Sequence, residues 1–215
     1  MTTVGQLLAA AVAVDPTRPL LTWYDDGTGE RTELSGATLA NWVAKTANLL
    51  VDGVGTQPED RAVVLLPPHW QTAAVLLGTW SAGLSVATSP GPGEVGFATP
   101  VRAAELTQPD RYLLGLHPLG LPLREVPAGY LDFAVEVRTY GDVFRPLASA
   151  IVAPGDLGIA AGDRVLIDVD SYPDPADWLL APLAAGASIV LCGRLDRSLL
   201  ARRVETERVS RILVD

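Results

Sequence analysis

Apolar residues recur along this chain in two rhythms. Residues 4–13 keep a helical spacing until Asp15-Pro16 ends it, because the residue before a proline is pushed out of helical geometry. Leu20 to Tyr24 reads as a short strand. Asp26-Gly27-Thr28-Gly29 is a turn signal, and Arg31 to Leu34 pairs back as the second arm of a hairpin. Leu39, Trp42, Val43, Ala47 and Leu50 then follow the 3.6-residue period across 36–52, with Ser35 as N-cap and Gly53 as the stop.

A continuous apolar run from Ala62 to Leu66 predicts a strand buried on both faces. Pro67-Pro68 stops it, Trp70 to Ala82 is helical, and Ser85 to Thr88 is the next strand. The Gly- and Pro-rich stretch 89–100 is a loop with one short strand, Val95 to Ala98. Residues 101–107 read as helical and Tyr112 to Leu116 as a strand, whereas Leu131 to Tyr140 fits either type. Beyond a broken apolar stretch at 145–162, Val165 to Val169 is a strand, Pro175 to Ala184 a helix and Ser188 to Leu191 a strand. Ser198 to Arg208 is a helix and Arg211 to Val214 a last strand.

Part of this pattern occurs twice. Asp60-Arg61 matches Asp163-Arg164, and Ala82-Gly83 matches Ala185-Gly186, at the same spacing of 103 residues. Each copy runs apolar stretch, break, amphipathic stretch, Ala-Gly, apolar stretch, which is a β-α-β unit written twice. The expected fold class is α/β, a mostly parallel sheet flanked by helices, in a single domain 1–215 with pseudo-halves at about 1–100 and 101–215.

Composition narrows the functions. Hydrophobic residues make up 48% of 215, so the chain buries a sizeable core and is not disordered. A net charge of −9 leaves no basic footprint for nucleic acid. No apolar run reaches the roughly 20 residues of a membrane span, and the apolar start has no basic segment before it. A single cysteine, Cys192, rules out an internal disulfide, and a cytoplasmic location is expected. Fifteen arginines stand beside one lysine, Lys45, so a lysine mechanism has only that residue to draw on.

From Pro19-Leu20-Leu21-Thr22 through Glu33-Leu34, Gly53-Val54, Glu59-Asp60-Arg61-Ala62-Val63-Val64-Leu65-Leu66-Pro67 and Ala82-Gly83 to Pro90, the chain resembles the start of the AMP-forming acyl-CoA synthetases, luciferases and adenylation domains. Residues 162–215, with Leu179-Leu180-Ala181-Pro182-Leu183-Ala184-Ala185-Gly186-Ala187, are similar to the part of those enzymes that follows the phosphate loop. The resemblance implies the first half of a large catalytic domain built from two similar sheet halves. ATP or AMP, magnesium and CoA enter only through it.

The departures are chemical. The family's phosphate loop has the form T-S-G-T-T-G-x-P-K. Here the corresponding stretch is Ser149-Ala150-Ile151-Val152-Ala153-Pro154-Gly155-Asp156-Leu157-Gly158, which has no lysine and carries an acid. A carboxylate at Asp156 repels a triphosphate. The family's aromatic-or-histidine loop falls at Asp170-Ser171-Tyr172-Pro173-Asp174, with Tyr172 the nearest substitute. The later adenine-, magnesium- and ribose-binding segments and the C-terminal domain have no counterpart in this sequence. The strand-like run at 212–215, with no polar tail, leaves both a natural length of 215 and a truncation as open readings.

Other constellations are weak. Gly91-Pro92-Gly93-Glu94-Val95-Gly96 matches a dinucleotide fingerprint, but Pro92 removes a backbone N–H and no helix follows. Asp168, Asp170, Asp174 and Asp177 lack the glycine and closing glutamate of a calcium loop, so no metal is expected. His69 and His117 each follow a predicted strand, where a histidine acid or base is conceivable beside its plain reading as a turn residue. Cys192 precedes Gly193-Arg194, where a nearby arginine would lower its pKa, and reads more simply as a structural thiol.

Open α/β sheets bind ligands beyond the carboxyl ends of their strands. Pro68, His69, Trp70, Ser89, Gly91, Asp170, Tyr172 and Asp174 are therefore the candidate ligand-binding residues, with no catalytic residue assigned. The leading expectation is a relative of the synthetase large domain that is non-catalytic alone and binds a small acyl, aryl or nucleotide ligand. Two alternatives stand beside it: an adenylate-forming or acyl-transferring enzyme whose degenerate site is completed by another chain, and a structural or assembly subunit. Apolar sheet edges left open by truncation point to a homodimer or another protein partner.

Overall fold

The computed structural model describes residues 3–145, 150 and 152–214, and the strands form two five-stranded sheets. The chain runs α1 (Val4–Val14), β1 (Pro19–Asp25), β2 (Glu30–Ser35), α2 (Gly36–Asn48), β3 (Arg61–Leu65), α3 (Trp70–Ser81), β4 (Ser85–Ala87) and β5 (Val95–Ala98). It continues through β6 (Asp110–Leu113), β7 (Leu131–Asp132), α4 (Phe133–Glu136), β8 (Arg164–Asp168), α5 (Ala181–Ala185), β9 (Ser188–Gly193), α6 (Leu200–Glu207) and β10 (Arg211–Leu213). One sheet has the order β10-β8-β9-β1-β2, the other β4-β3-β5-β6-β7. Every pairing is parallel except the β1–β2 hairpin.

The internal repeat is real at the level of single hydrogen bonds. Arg61 pairs with Ser85 in one sheet and Arg164 with Ser188 in the other. The Ser85 N–H donates to the Asp60 carbonyl at 2.8 Å, and the Ser188 N–H to the Asp163 carbonyl at 2.9 Å. The carboxylates of Asp60 and Asp163 accept from the N–H groups of Gln57 and Ala160, at 2.7 and 2.8 Å. Gly83 and Gly186, both left-handed, turn the chain from helix into strand in the two copies. In each copy the first strand of the unit also takes a second parallel neighbour, β5 on β3 and β10 on β8.

The pseudo-halves at about 1–100 and 101–215 do not coincide with the sheets. The hairpin from the first half joins the second sheet, with Leu21 to Asp25 lying parallel to Ile189 to Gly193. An isolated two-stranded hairpin is marginal in water, and pairing β1 to the fully buried β9 removes its exposed inner edge.

Helix α3 holds the sheets together. All twelve of its residues are buried, the sign of a helix with protein on every side. It packs on α1, α2 and on β1 and β4, one strand from each sheet. A single apolar cluster accordingly includes Leu21, Ile167 and Leu191 from one sheet and Val64 and Phe97 from the other.

Several boundaries differ from the sequence reading. The helix expected over 36–52 stays α-helical only to Asn48, then widens into a π turn, Leu49–Val54, that closes at left-handed Gly55 rather than at Gly53. The helix at 175–184 likewise opens as a π turn, Ala176–Leu180, before α5. The segment at 101–107 is a 3-10 turn, Pro100–Glu105. The strand expected at Tyr112–Leu116 is shifted to Asp110–Leu113, and Leu116 is left-handed. Among the described residues no helix is long and apolar enough to cross a membrane.

Candidate functional site

Strands β1, β3, β8 and β9 end on the same side of the molecule, where the two sheets meet, and two cavities open there. Pro68 lines both. The larger, about 580 Å3, lies between the end of β3, helix α3 and the segment entering α5. Its walls are apolar: Val64, Leu66, Leu76, Trp80, Trp178 and Leu180 are among them. Among the described residues that form it, Asp174 is the one that is charged, and there is no lysine, arginine or histidine.

Local sequence explains this shape. The Asp174 carboxylate accepts the Ala176 N–H at 2.8 Å, and its carbonyl accepts from Asp177 and Trp178. This Asx turn starts the π segment that drives Trp178 into the core, where it is 1% exposed. Thr72, also in the lining, donates its hydroxyl to the Pro67 carbonyl at 2.6 Å, fixing the break between β3 and α3. The Trp178 indole N–H is buried without an acceptor.

The smaller cavity, about 230 Å3, lies across Pro68 from the first. Pro67, His69, Leu116, Val169, Trp23, Asp25, Asp170 and Arg194 are among its lining residues. His69 caps α3: its Nδ1 accepts the Gln71 N–H at 3.1 Å. Burial lowers its pKa to about 3 against a weak opposing pull from Asp25, so the ring is neutral and Nε2 carries the proton. His69 is therefore a buried capping residue rather than a free acid or base at a turn.

The eight sequence candidates divide. Pro68, His69, Asp170 and Asp174 lie in the two cavity linings. Trp70 is buried, donates its indole N–H to the Pro118 carbonyl at 3.0 Å and packs edge-on against Trp42. Tyr172 is half-buried against the main core. Ser89 is exposed on the loop after β4, and the Gly91 carbonyl accepts from the Gln108 amide at 2.7 Å. No helix opens in that loop; it leads directly into β5. Trp23, Thr72, Trp178 and Arg194 were missed. The inward positions of Trp23 and Trp178 were visible as apolar periodicity, but which cavity they bordered depends on pairings distant in sequence.

In the stretch expected to correspond to the phosphate loop, Ser149 and Ile151 lie outside the described residues. Val152 and Ala153 border the large cleft, and Asp156 is exposed. Lys45 is occupied on another face by the Tyr140 carbonyl, at 2.7 Å, and by Asp142, at 2.8 Å. Asp168 accepts from the Asp170 N–H at 3.2 Å and the Ser171 hydroxyl at 2.9 Å. Among the described residues no group of three or more His, Cys, Asp or Glu is placed to hold a metal ion. Cys192 is fully buried, and burial pushes its thiol up to about 11 against the opposing effect of Arg203, 3.5 Å away. The arginine beside it is thus Arg203 and not Arg194, and it does not activate the thiol.

No protein-family model matches the chain. A protein of Mycobacterium tuberculosis (strain ATCC 25618 / H37Rv), described as a TIGR03089 family protein, is 40% identical over 235 residues, covering 97% of each chain. An acyl-CoA synthetase of Brucella canis superposes with a TM-score of 0.73 at 17% identity, over 96% of this chain and 46% of the synthetase. A benzoate CoA ligase from Burkholderia xenovorans LB400 gives 0.67 at 16% identity, over 99% of this chain and 50% of the ligase. At these identities the likeness establishes the fold, that of the acyl-CoA synthetase N-terminal domain. The chain spans about half the length of these synthetases.

Proposed function

The chain belongs to the TIGR03089 protein family, and from that membership and its synthetase-like fold we propose that it is a non-catalytic relative that holds a small acyl or aryl group in the larger cleft. The observation that carries this reading is the lining of that cleft, apolar walls with a carboxylate at Asp174 and no cation among the described residues that form it. Apolar concavities of this size take small organic ligands. A triphosphate needs charge-assisted donors. Here Asp174 faces the cavity and Asp156 sits in the stretch that would have to hold the phosphates.

Thermal-shift titration tests the reading. Probes with an aryl or alkyl body, 3-phenylpropanol and octanol, raise the melting temperature saturably, as any ligand of the folded state does. Thr88→Trp, at an exposed position in the lining, abolishes that rise without lowering the melting temperature of the free protein. ATP, AMP and CoA, each with and without magnesium, produce no rise up to millimolar levels. A saturable rise with ATP and magnesium, or ATP–pyrophosphate exchange dependent on an organic acid, overturns the reading.

The half-length match to the solved synthetases supports a second reading, an adenylating site completed by another chain. It predicts exchange activity only after a partner is added. Self-association is a separate proposal, checked by light scattering on the eluting protein.

A further inference from the structure

The larger cleft leaves the smaller cavity unused, and that cavity has features the fold alone does not explain. Among the described residues four that are not glycine have positive φ, and two of them, Leu116 at 51° and Arg194 at 50°, line this one cavity. Left-handed backbone is costly for side chains of this size, and such residues gather at binding sites. Trp23 and His69 both line it, their rings in edge-on contact at 5.0 Å. Each has a buried ring N–H with no acceptor. Buried donors are nearly always paired, so two orphans in contact on one cavity wall call for an explanation.

The surroundings restrict what can supply the acceptor. Pro67, Pro68, Leu116 and Val169 give apolar walls. Asp25, Glu30 and Asp170 bring three carboxylates against the single cation Arg194, whose guanidinium is already bound to Asp25 and whose N–H donates to Asp170 at 3.2 Å. The balance of charge is negative, which disfavours an anion. The volume, about 230 Å3, suits a single substituted ring.

We propose that this cavity is a second binding site, independent of the larger cleft, for a small neutral heteroaromatic ring whose carbonyl oxygen or ring nitrogen accepts a hydrogen bond from His69 Nε2 while the ring lies beside the Trp23 indole. Each ring has an anchor in the unliganded protein. His69 is locked by its cap on α3, and the Trp23 ring is pressed against Gly193, where an added Cβ would lie 2.6 Å from it. Reaching either nitrogen requires the ligand to part the ring contact, because both atoms are shielded from water.

Nicotinamide is a suitable probe: neutral, planar and rich in acceptors. In 1H–15N spectra of the full chain, the Trp23 indole signal, assigned from Trp23→Phe, moves saturably with nicotinamide and much less with the anion nicotinate. His69→Asn keeps the N-cap, since asparagine caps helices well, but removes the Nε2 donor. It should weaken nicotinamide about fivefold, the loss of one neutral hydrogen bond. Glu30→Lys, which leaves both donors in place, should let nicotinate bind. A Trp23 signal that stays still at saturating solubility, unchanged affinity in the folded His69→Asn protein, or a response at Trp178 alone would overturn the proposal.

Discussion

Arg164 at the start of β8 grips Glu207 at the end of α6 twice, donating from Nε to its carbonyl at 2.6 Å and from Nη2 to its carboxylate. The same carboxylate accepts from the Tyr24 hydroxyl at 2.6 Å and pairs with Arg31 at 2.9 Å. One buried acid thus ties the last helix to the hairpin and to the repeated strand. Burial alone would raise its pKa, but the hydrogen bonds from Tyr24, Arg164 and Arg31 together hold it below the usual carboxylate range. Its folded pKa is depressed, so its contribution is present at neutral pH and is lost as pH falls through that value. Glu207→Ala takes the carboxylate from part-buried Arg164, while Arg31 keeps Glu33 and the Tyr24 hydroxyl, and should cost about 3 kcal/mol, measured by urea unfolding at pH 7. The difference from the parent should shrink in acid.

His69 gives a second pH signature. The ring is buried neutral with a pKa of about 3, against 6.5 in a free chain. Between these values the unfolded chain binds a proton that the folded one does not, so stability falls as pH is lowered, by about 1.4 kcal/mol per unit at most. His69→Asn should flatten the fall between pH 6.5 and 5 while keeping most of the stability at pH 8. His69→Ala, which loses the cap as well, should be about 1 kcal/mol worse at every pH.

Gly78 lies where α3 packs tightly on α2. A Cβ there would stand 2.5 Å from the Thr46 Cβ and 3.1 Å from the Val43 carbonyl. Neither neighbour is the tip of a flexible side chain, so Gly78→Ala must push the helices apart. Its higher helix propensity would otherwise favour alanine. The expected result is a net loss of about 2 kcal/mol, as for overpacked cores, seen as a lower melting temperature.

The lone thiol reports on global opening. At pH 8 a group with a pKa of about 11 is thiolate in only about one molecule in a thousand, and Cys192 is shielded as well. Ellman's reagent should therefore react slowly with the native protein and at once in urea. Fast reaction in native buffer would mean that β9 is not the interior strand described above.

The β-α-β repeat was legible because it is local. The Ala-Gly pairs, the Asp-Arg pairs and the double-faced apolar strands lie within short windows, and the backbone bonds of Asp60 and Asp163 bear them out. The division into two sheets was not legible. Strands buried on both faces look alike in sequence, so nothing near Leu21 announces Ile189 as its neighbour. The candidate site was half legible for the same reason. The strand-end rule found Pro68, His69, Asp170 and Asp174, whereas Trp23 and Arg194 meet only through the β1–β9 pairing. The π turns were invisible because their sequences keep ordinary helical periodicity.

That β1–β9 pairing also sets a timetable. On the ribosome the hairpin is made long before β9, the strand that pairs with its inner edge. Until then β1 holds an unmatched row of backbone donors and acceptors beside Leu20, Leu21 and Trp23, which end up buried. Contacts so distant in sequence slow folding and leave the nascent chain open to pairing with the wrong edge. Yield in a heterologous host should therefore rise when translation is slowed or chaperones that hold nascent chains are in excess.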